Sequence, residues 1–405
     1  MPDQPLTSAA LFDTRSEFAR DLPLELIAAW MNSERTPATA QELLLPFLFT
    51  GTVVVSDSAG LTRLTWEREP LEVMALINEP KELVHEYGTA IGGRAMGVWT
   101  ADNTSMFYPD HVSCDQIAAM LLALQQRIRA ECKVQIGIGV HSGSFFILQD
   151  ALYGDQANHI ECLAEDRTAG GEIVLTQTFA GRLSPAFQTV ARTQIPCDFT
   201  DGLRLLEGPP WTAPTSGNRR YPLPFSTDFY DCLPVYRERT EALNRFRQTR
   251  TVLLVERAPV ESADCEYNIL AEMTSAAIAR VRGNWLLGST GGVEIKTAGS
   301  LSIYVFETAA QAWTFSIRLR AVLESDGIRT RSGIATGDVL LFDLDSGGHE
   351  ISGSPVNIAS KIAQDHGEYG SIYLSGTLPD NREPALDAAR VSFLIAGNEL
   401  TAWVV

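Results

Sequence analysis

Thr52-Val-Val-Val-Ser-Asp57 and Thr251-Val-Leu-Leu-Val-Glu256 are one phrase written twice, 199 residues apart. Each is a β-branched and apolar run that ends in a carboxylate, as expected of a buried strand. The same offset links Gly92-Gly93 to Gly291-Gly292, Phe107 to Phe306, Asn158 to Asn357 and Ile173 to Ile372. Five landmarks at one long period mean two copies of one folding unit.

Outward from these strands, each copy reads in the same order. The first has a strand at 49–56, a helix at 70–87, and a hairpin of 94–100 with 105–108 around Ala101-Asp-Asn-Thr104. A helix at 115–132, a strand at 134–140, a helix at 156–165 and a strand at 173–176 follow. The second has strand 251–255, helix 265–281, hairpin 293–297 with 301–306, helix 309–324, strand 329–335, helix 354–364 and strand 371–374. Strands near 391–394 and 400–405 close it. This order predicts an α+β fold: two tandem ferredoxin-like, split βαβ domains, each a sheet with helices on one face. The expected organisation is a helical lead over 1–46 (helices 17–31 and 39–45), a first domain over 47–192 and a connector over 193–249. The second domain covers 250–405. The connector carries the Pro/Gly loop Gly208-Pro-Pro-Trp-Thr-Ala-Pro-Thr-Ser-Gly217 and a charged helix at 237–247.

Composition bounds the function. The 405 residues are 45% hydrophobic, ample for two cores. No apolar run is long enough for a membrane span, and the N-terminus lacks the pattern of a secretory signal. Six scattered cysteines without a CxxC pair read as reduced thiols of a cytoplasmic protein. A net charge of −18 argues against a nucleic-acid partner, which needs a basic surface. It does not argue against a small nucleotide.

Four motifs occur in order in both copies. Val54-Val-Ser-Asp57-Ser-Ala-Gly-Leu-Thr62 ends the first strand. Gly291-Gly-Val-Glu-Ile-Lys296-Thr-Ala-Gly299-Ser300 spans a hairpin. Gly139-Val-His-Ser-Gly143 and Gly333-Ile-Ala-Thr-Gly337 are one motif, and Gly353-Ser-Pro-Val-Asn357-Ile-Ala-Ser-Lys361 and Gly154-Asp-Gln-Ala-Asn158-His-Ile-Glu-Cys162 another. Together, over about 300 residues, they resemble the catalytic domain of class III adenylate and guanylate cyclases. The tandem layout looks most like that of soluble adenylyl cyclases.

That resemblance implies a pseudo-twofold intramolecular pair in which one copy gives metal carboxylates and the other reads the nucleotide. Cyclisation drives the ribose 3′-hydroxyl of a nucleoside triphosphate onto its own α-phosphorus, and two divalent ions, Mg2+ or Mn2+, assist. The first copy keeps Asp57 as a metal ligand. Its second metal position falls on Ala101 when counted without gaps, and Asp102 is next to it; a one-residue slip on a hairpin tip presents Asp102 instead. The second copy keeps Lys296 and Glu350 as the base-reading pair, Asn357 to orient the ribose, and Lys361 where the family has a transition-state Arg. Lysine retains the charge but not the planar fork, so a slower enzyme is expected.

The reciprocal positions have decayed. Glu256 and Ser300 stand at the metal positions, and Gly97, Ala151 and Cys162 stand where recognition belongs. Some soluble adenylyl cyclases bind bicarbonate at the Lys and Arg of this degenerate site, and Gly97 and Cys162 predict no such response here. A family phosphate contact, normally Lys, appears as Ala396. The expected activity is adenylate cyclase, a phosphorus–oxygen lyase acting on ATP, in a monomer that pairs its own domains. A regulatory protein partner is compatible with it. The competing reading is an inactive cyclase-like module that binds nucleotide or protein. A polymerase-like palm shares the core but needs a basic template groove.

Overall fold

A computed structural model describes residues 22–99, 103–193, 203–209, 211–260, 262–344, 348–377, 387–395 and 398–405. The chain opens with helices α1 (Leu24–Met31) and α2 (Pro37–Leu44). The first repeat continues as β1 (Leu48–Ser58), α3 (Pro70–Ala90), β2 (Arg94–Ala95), β3 (Thr104–Pro109), α4 (Cys114–Glu131) and β4 (Ile136–Leu148). It ends with β5 (Ala151–Tyr153), α5 (Asp155–Arg167), β6 (Ile173–Thr176), β7 (Ala191–Thr193) and β8 (Leu203–Leu206). The second repeat runs β9 (Arg247–Arg257), α6 (Cys265–Thr290), β10 (Val293–Ala298), β11 (Leu301–Phe306), α7 (Ala309–Ser325) and β12 (Thr330–Asp343). It closes with β13 (His349–Ser352), α8 (Ser354–Lys361), β14 (Ile372–Ser375), β15 (Ala389–Ile395) and β16 (Asn398–Val404).

Two compact units result. The first unit holds Leu44–Leu64 and Leu71–Tyr236; the second holds the described residues up to Leu43, Thr65–Pro70 and Arg237–Val405. Each contains one sheet, and the strand orders match: β2-β3-β1-β4-β6-β8-β7 and β10-β11-β9-β12-β14-β16-β15. The four leading strands of each are the antiparallel ferredoxin-like set. Beyond them, β4 with β6 and β12 with β14 are parallel pairs. The fold is α+β with two tandem cyclase-like domains.

Helices cover both faces of each sheet, not one. Val54 packs with Leu83 of α3 and Ile117 of α4, whereas Val53 and Val55 pack with Ile160 and Leu163 of α5 on the other side. Leu253 and Val255 likewise meet Trp313 and Phe315, while Val252 and Leu254 meet Ala359. This explains why the apolar runs Val53–Val55 and Val252–Val255 are uninterrupted. A strand buried on both faces has no polar side to alternate with.

Local signals set the helix starts. Ser113 with Gln116, and Thr308 with Gln311, form capping boxes at the same point of each repeat. Two departures from the sequence reading have physical causes. The strand read at 94–100 stops after Ala95, because Gly97 takes a left-handed φ of 63° and Trp99 turns inward to stack on Tyr221. The charged helix read at 237–247 shrinks to one turn, Thr240–Leu243, followed by a 3-10 turn; Arg247 already begins β9.

In the first unit the connector lies on α3. Tyr221 Oη donates to Asn78 Oδ1 at 2.6 Å, Tyr230 Oη to Glu82 Oε1 at 2.6 Å, and Arg219 Nε to Glu86 Oε2 at 2.7 Å. Asn78, Glu82 and Glu86 are spaced by four, so they form one stripe on the helix. In the second unit α1 packs against the start of α6, with Trp30 edge-on to Tyr267 at 5.4 Å. No helix among the described residues is long and apolar enough to cross a membrane.

Helix α8 carries two of the expected site residues, and Gly333 sets its height above the sheet. A side chain at 333 would begin 2.1 Å from the Ala359 carbonyl oxygen, so only glycine lets α8 approach β12. Gly333→Ala is expected to cost roughly 2–3 kcal/mol through this overpacking, read as a lowered denaturation midpoint. An unchanged midpoint would contradict the packing.

Candidate functional site

The base-reading pair expected from the sequence is in contact in the second unit. Lys296 Nζ donates to both carboxylate oxygens of Glu350, at 3.1 and 2.9 Å. Glu350 is buried, and its Oε1 also accepts the Ile351 N–H at 3.0 Å. The two residues come from different hairpins, so the contact depends on backbone placement. A register shift between Glu294 and Lys296 bulges β10 against β11. Bulges re-aim side chains, and this one lets Ile295 enter the core while Lys296 meets Glu350. Glu294 anchors the bulge: it accepts from Asn284 Nδ2 and Thr297 Oγ1 at 2.8 Å each and pairs with Arg280 at 3.2 Å.

At the same place in the first unit there is no side-chain pair. Gly97 and Ala151 stand where Lys296 and Glu350 do, and the Gly97 N–H donates directly to the Asp150 carbonyl at 2.5 Å. The tight β4–β5 turn brings that carbonyl in, with Gln149 and Asp150 both at positive φ. The Gly97–Trp99 segment is held further by Lys81 Nζ on the Trp99 carbonyl and by Trp99 N–H on the Pro222 carbonyl, both at 3.2 Å. Backbone bonding stands here in place of the Lys296–Glu350 side-chain pair. Cys162 is an exposed thiol on α5.

The carboxylate positions show the reverse contrast. Glu256, at the end of β9, faces Arg331 across β12 and binds it at 2.5 Å. Burial works against the Arg331 charge, but the hydrogen bond and charge of Glu256 outweigh it and raise the guanidinium above its ordinary range. Arg331 also donates to the Gly367 carbonyl at 2.9 Å and lies 4.8 Å from the Tyr369 ring centre. The next residue, Arg257, is buried. Its Nη1 donates to Ser302 Oγ at 2.8 Å and its Nη2 to the Gly299 carbonyl, while its N–H reaches the Ser300 carbonyl at 2.9 Å. Burial pushes Arg257 down to about 10, still cationic at neutral pH. Arg331 thus binds Glu256 and the Arg257 guanidinium ties the turn beside Ser300, an arrangement that does not fit a divalent ion. Arg331 escaped the sequence reading because its partner is fixed only by strand register.

In the first unit Asp57 ends β1, half-buried, and the residue facing it across β4 is Gly137; Ser58 follows it where Arg257 follows Glu256. Neither neighbour brings a cation. The donor chemistry at Asp57 suits a hard ion, and Asp102 lies outside the described residues, as does Ala396. Among the described residues no group of three or more His, Cys, Asp or Glu side chains is placed to hold a metal.

Asn357 and Lys361 both lie on α8. Asn357 Nδ2 donates to Thr65 Oγ1 at 3.2 Å, and Lys361 Nζ pairs with Asp365 one turn on, at 3.0 Å.

No family model and no curated protein sequence matches this chain. Solved structures do. A class III adenylyl cyclase-like ATP-binding protein from Pseudomonas aeruginosa is 12% identical, with a TM-score of 0.50, over 81% of this chain and 83% of that one. The adenylyl cyclase CyaB from P. aeruginosa aligns at 19% identity and TM-score 0.32, over 39% of this chain and 94% of its own. A dimeric guanylyl cyclase domain from Blastocladiella emersonii aligns at 15% identity and TM-score 0.33, over 39% and 97%. The first of these establishes a cyclase-like fold that spans both domains.

Lys296 and Glu350 are expected to be energetically coupled. Lys296→Met leaves a buried carboxylate unpaired and should destabilise the protein by about 2 kcal/mol. Adding Glu350→Gln should recover on the order of 1 kcal/mol in a denaturant double-mutant cycle. Strict additivity would show that the pair is not a formed interaction in solution.

Proposed function

We propose that this chain is a nucleotidyl cyclase that converts ATP to cyclic AMP and pyrophosphate at one site, with its residues divided between the two repeats. The observation that carries this is the complementary state of the two copies. Where the proposed base reader has its side-chain pair, Arg331 binds Glu256 and Arg257 ties down the neighbouring hairpin tip. Where backbone bonding stands in place of that pair, the position facing Asp57 is a glycine and the one following it a serine. Independent decay of two sites has no reason to spare complementary halves.

In this reading Lys296 donates to adenine N1 and Glu350 accepts from the N6 amine. Guanine presents the opposite pattern, an O6 acceptor and an N1–H donor, so the pair favours ATP. Asn357 orients the ribose. Lys361 supplies positive charge to the transition state, less specifically than an arginine fork. Asp57 and Asp102 would hold two divalent ions, which, when bound, acidify the 3′-hydroxyl and neutralise the triphosphate.

A second reading is favoured by one contact. Lys361 is already paired with Asp365, and a cation engaged within its own helix contributes less to a transition state. The protein would then bind ATP without turnover, in keeping with its P. aeruginosa structural neighbour, which is described as cyclase-like and ATP-binding.

The deciding measurement is product formation from ATP and GTP with Mn2+ or Mg2+. Wild type should yield cyclic AMP, and Asp57→Ala should lower the rate at least about a hundredfold. Lys296→Ala should reduce ATP-over-GTP discrimination about tenfold. Saturable ATP binding without product supports the second reading. No nucleotide binding by folded protein overturns both.

A further inference from the structure

The two repeats differ at one further place, between the second helix of the core and the outer strands. The capping boxes at Ser113 and Thr308 put α4 and α7 in register, and Gln125 then corresponds to Arg320. In the second unit Arg320 Nη1 spans the gap, donating to the Gly370 carbonyl at 2.8 Å and the Val405 carbonyl at 3.2 Å. In the first unit the shorter Gln125 turns its amide to the Ile136 and Glu172 carbonyls, at 2.8 and 3.1 Å. The outer strand corresponds too, because Thr176 pairs Leu203 as Ser375 pairs Ala402. What the arginine fills in one copy is a cavity of about 380 Å³ in the other, open to solvent and lined by α4, the start of β6 and the end of β8.

This volume lies within the range of small-molecule sites. Its walls are both apolar and charged. Leu122, Ile173 and Leu206 supply the apolar part; Arg129, Glu172 and Glu207 are the charged groups. The two carboxylates are engaged, Glu172 with the Ala169 N–H at 2.8 Å and Glu207 with Arg192 at 3.5 Å. Arg129 makes no ion pair among the described residues, and it is the charge left for an occupant to meet.

We propose that this cavity binds a small organic carboxylate, with the Arg129 guanidinium gripping the carboxylate through paired N–H donors and the leucine–isoleucine wall taking the apolar body. The site belongs to the first unit alone and shares no residue with Lys296 and Glu350. It therefore stands whichever reading of the nucleotide chemistry holds.

The test titrates full-length protein with hexanoate, benzoate and, as the reversed charge, hexylamine. Thermal unfolding and saturation-transfer NMR follow binding. At least one carboxylate should bind saturably and raise Tm, and hexylamine should not. Arg129→Gln, at the exposed mouth, should weaken that binding about tenfold or more without lowering the Tm of the free protein. Gln125→Arg, which fills the space as Arg320 does, should abolish it. The proposal is overturned if neither carboxylate binds, if hexylamine binds equally well, or if Arg129→Gln binds as wild type does. The Arg129 variant decides the matter even if Gln125→Arg fails to fold.

Discussion

A half-buried carboxylate at the end of a central strand must have its charge met, and the two repeats differ in what they place opposite it. At Glu256 the answer is covalently part of the chain: Arg331 binds it from the neighbouring strand. Arg257 then ties down the hairpin tip beside it. Guanidinium groups fixed in this way satisfy the site permanently and remove any need for an ion. At Asp57 the facing residue on β4 is Gly137, so no side chain meets it from that position. The proposed function draws on that difference between the two strand ends.

The same trade between side chain and backbone governs the other half of the chemistry. Lys296 and Glu350 hold each other across two hairpins, on a bulge anchored by Glu294. In the first unit a tight turn and a glycine let two backbone groups bond directly in that place. The polar groups are satisfied in both cases, but only the Lys296–Glu350 pair does so with side-chain donors and acceptors. The connector stabilises the backbone arrangement: Tyr221 stacks on Trp99, while Lys81 is buried against the Trp99 carbonyl.

Much of the fold was legible because periodicity and repetition are local properties. The strand phrases at 52–57 and 251–256, the paired glycines, and the shared offset of Asn158 and Asn357 required only the linear chain. Helices on both faces were missed, although the uninterrupted apolar runs Val53–Val55 and Val252–Val255 carry that information. The strand read through 94–100 failed at Gly97, where a left-handed residue and the burial of Trp99 outweigh β propensity. Asp57, Lys296, Glu350, Asn357 and Lys361 could be proposed from motifs alone, whereas the roles of Arg331 and Arg257 could not.

By itself, then, the sequence determined the duplication, the α+β order, and which residue types survive in each copy. These are set by what the chain contains and at what spacing. Only the tertiary structure decided that Lys296 reaches Glu350, that Glu256 is neutralised by Arg331, and that Gln125 leaves open what Arg320 fills. Each of these depends on strand register, a bulge or a side-chain length acting across residues far apart in the chain. A shift of a single residue in register would put the same side chains on opposite faces of the sheet.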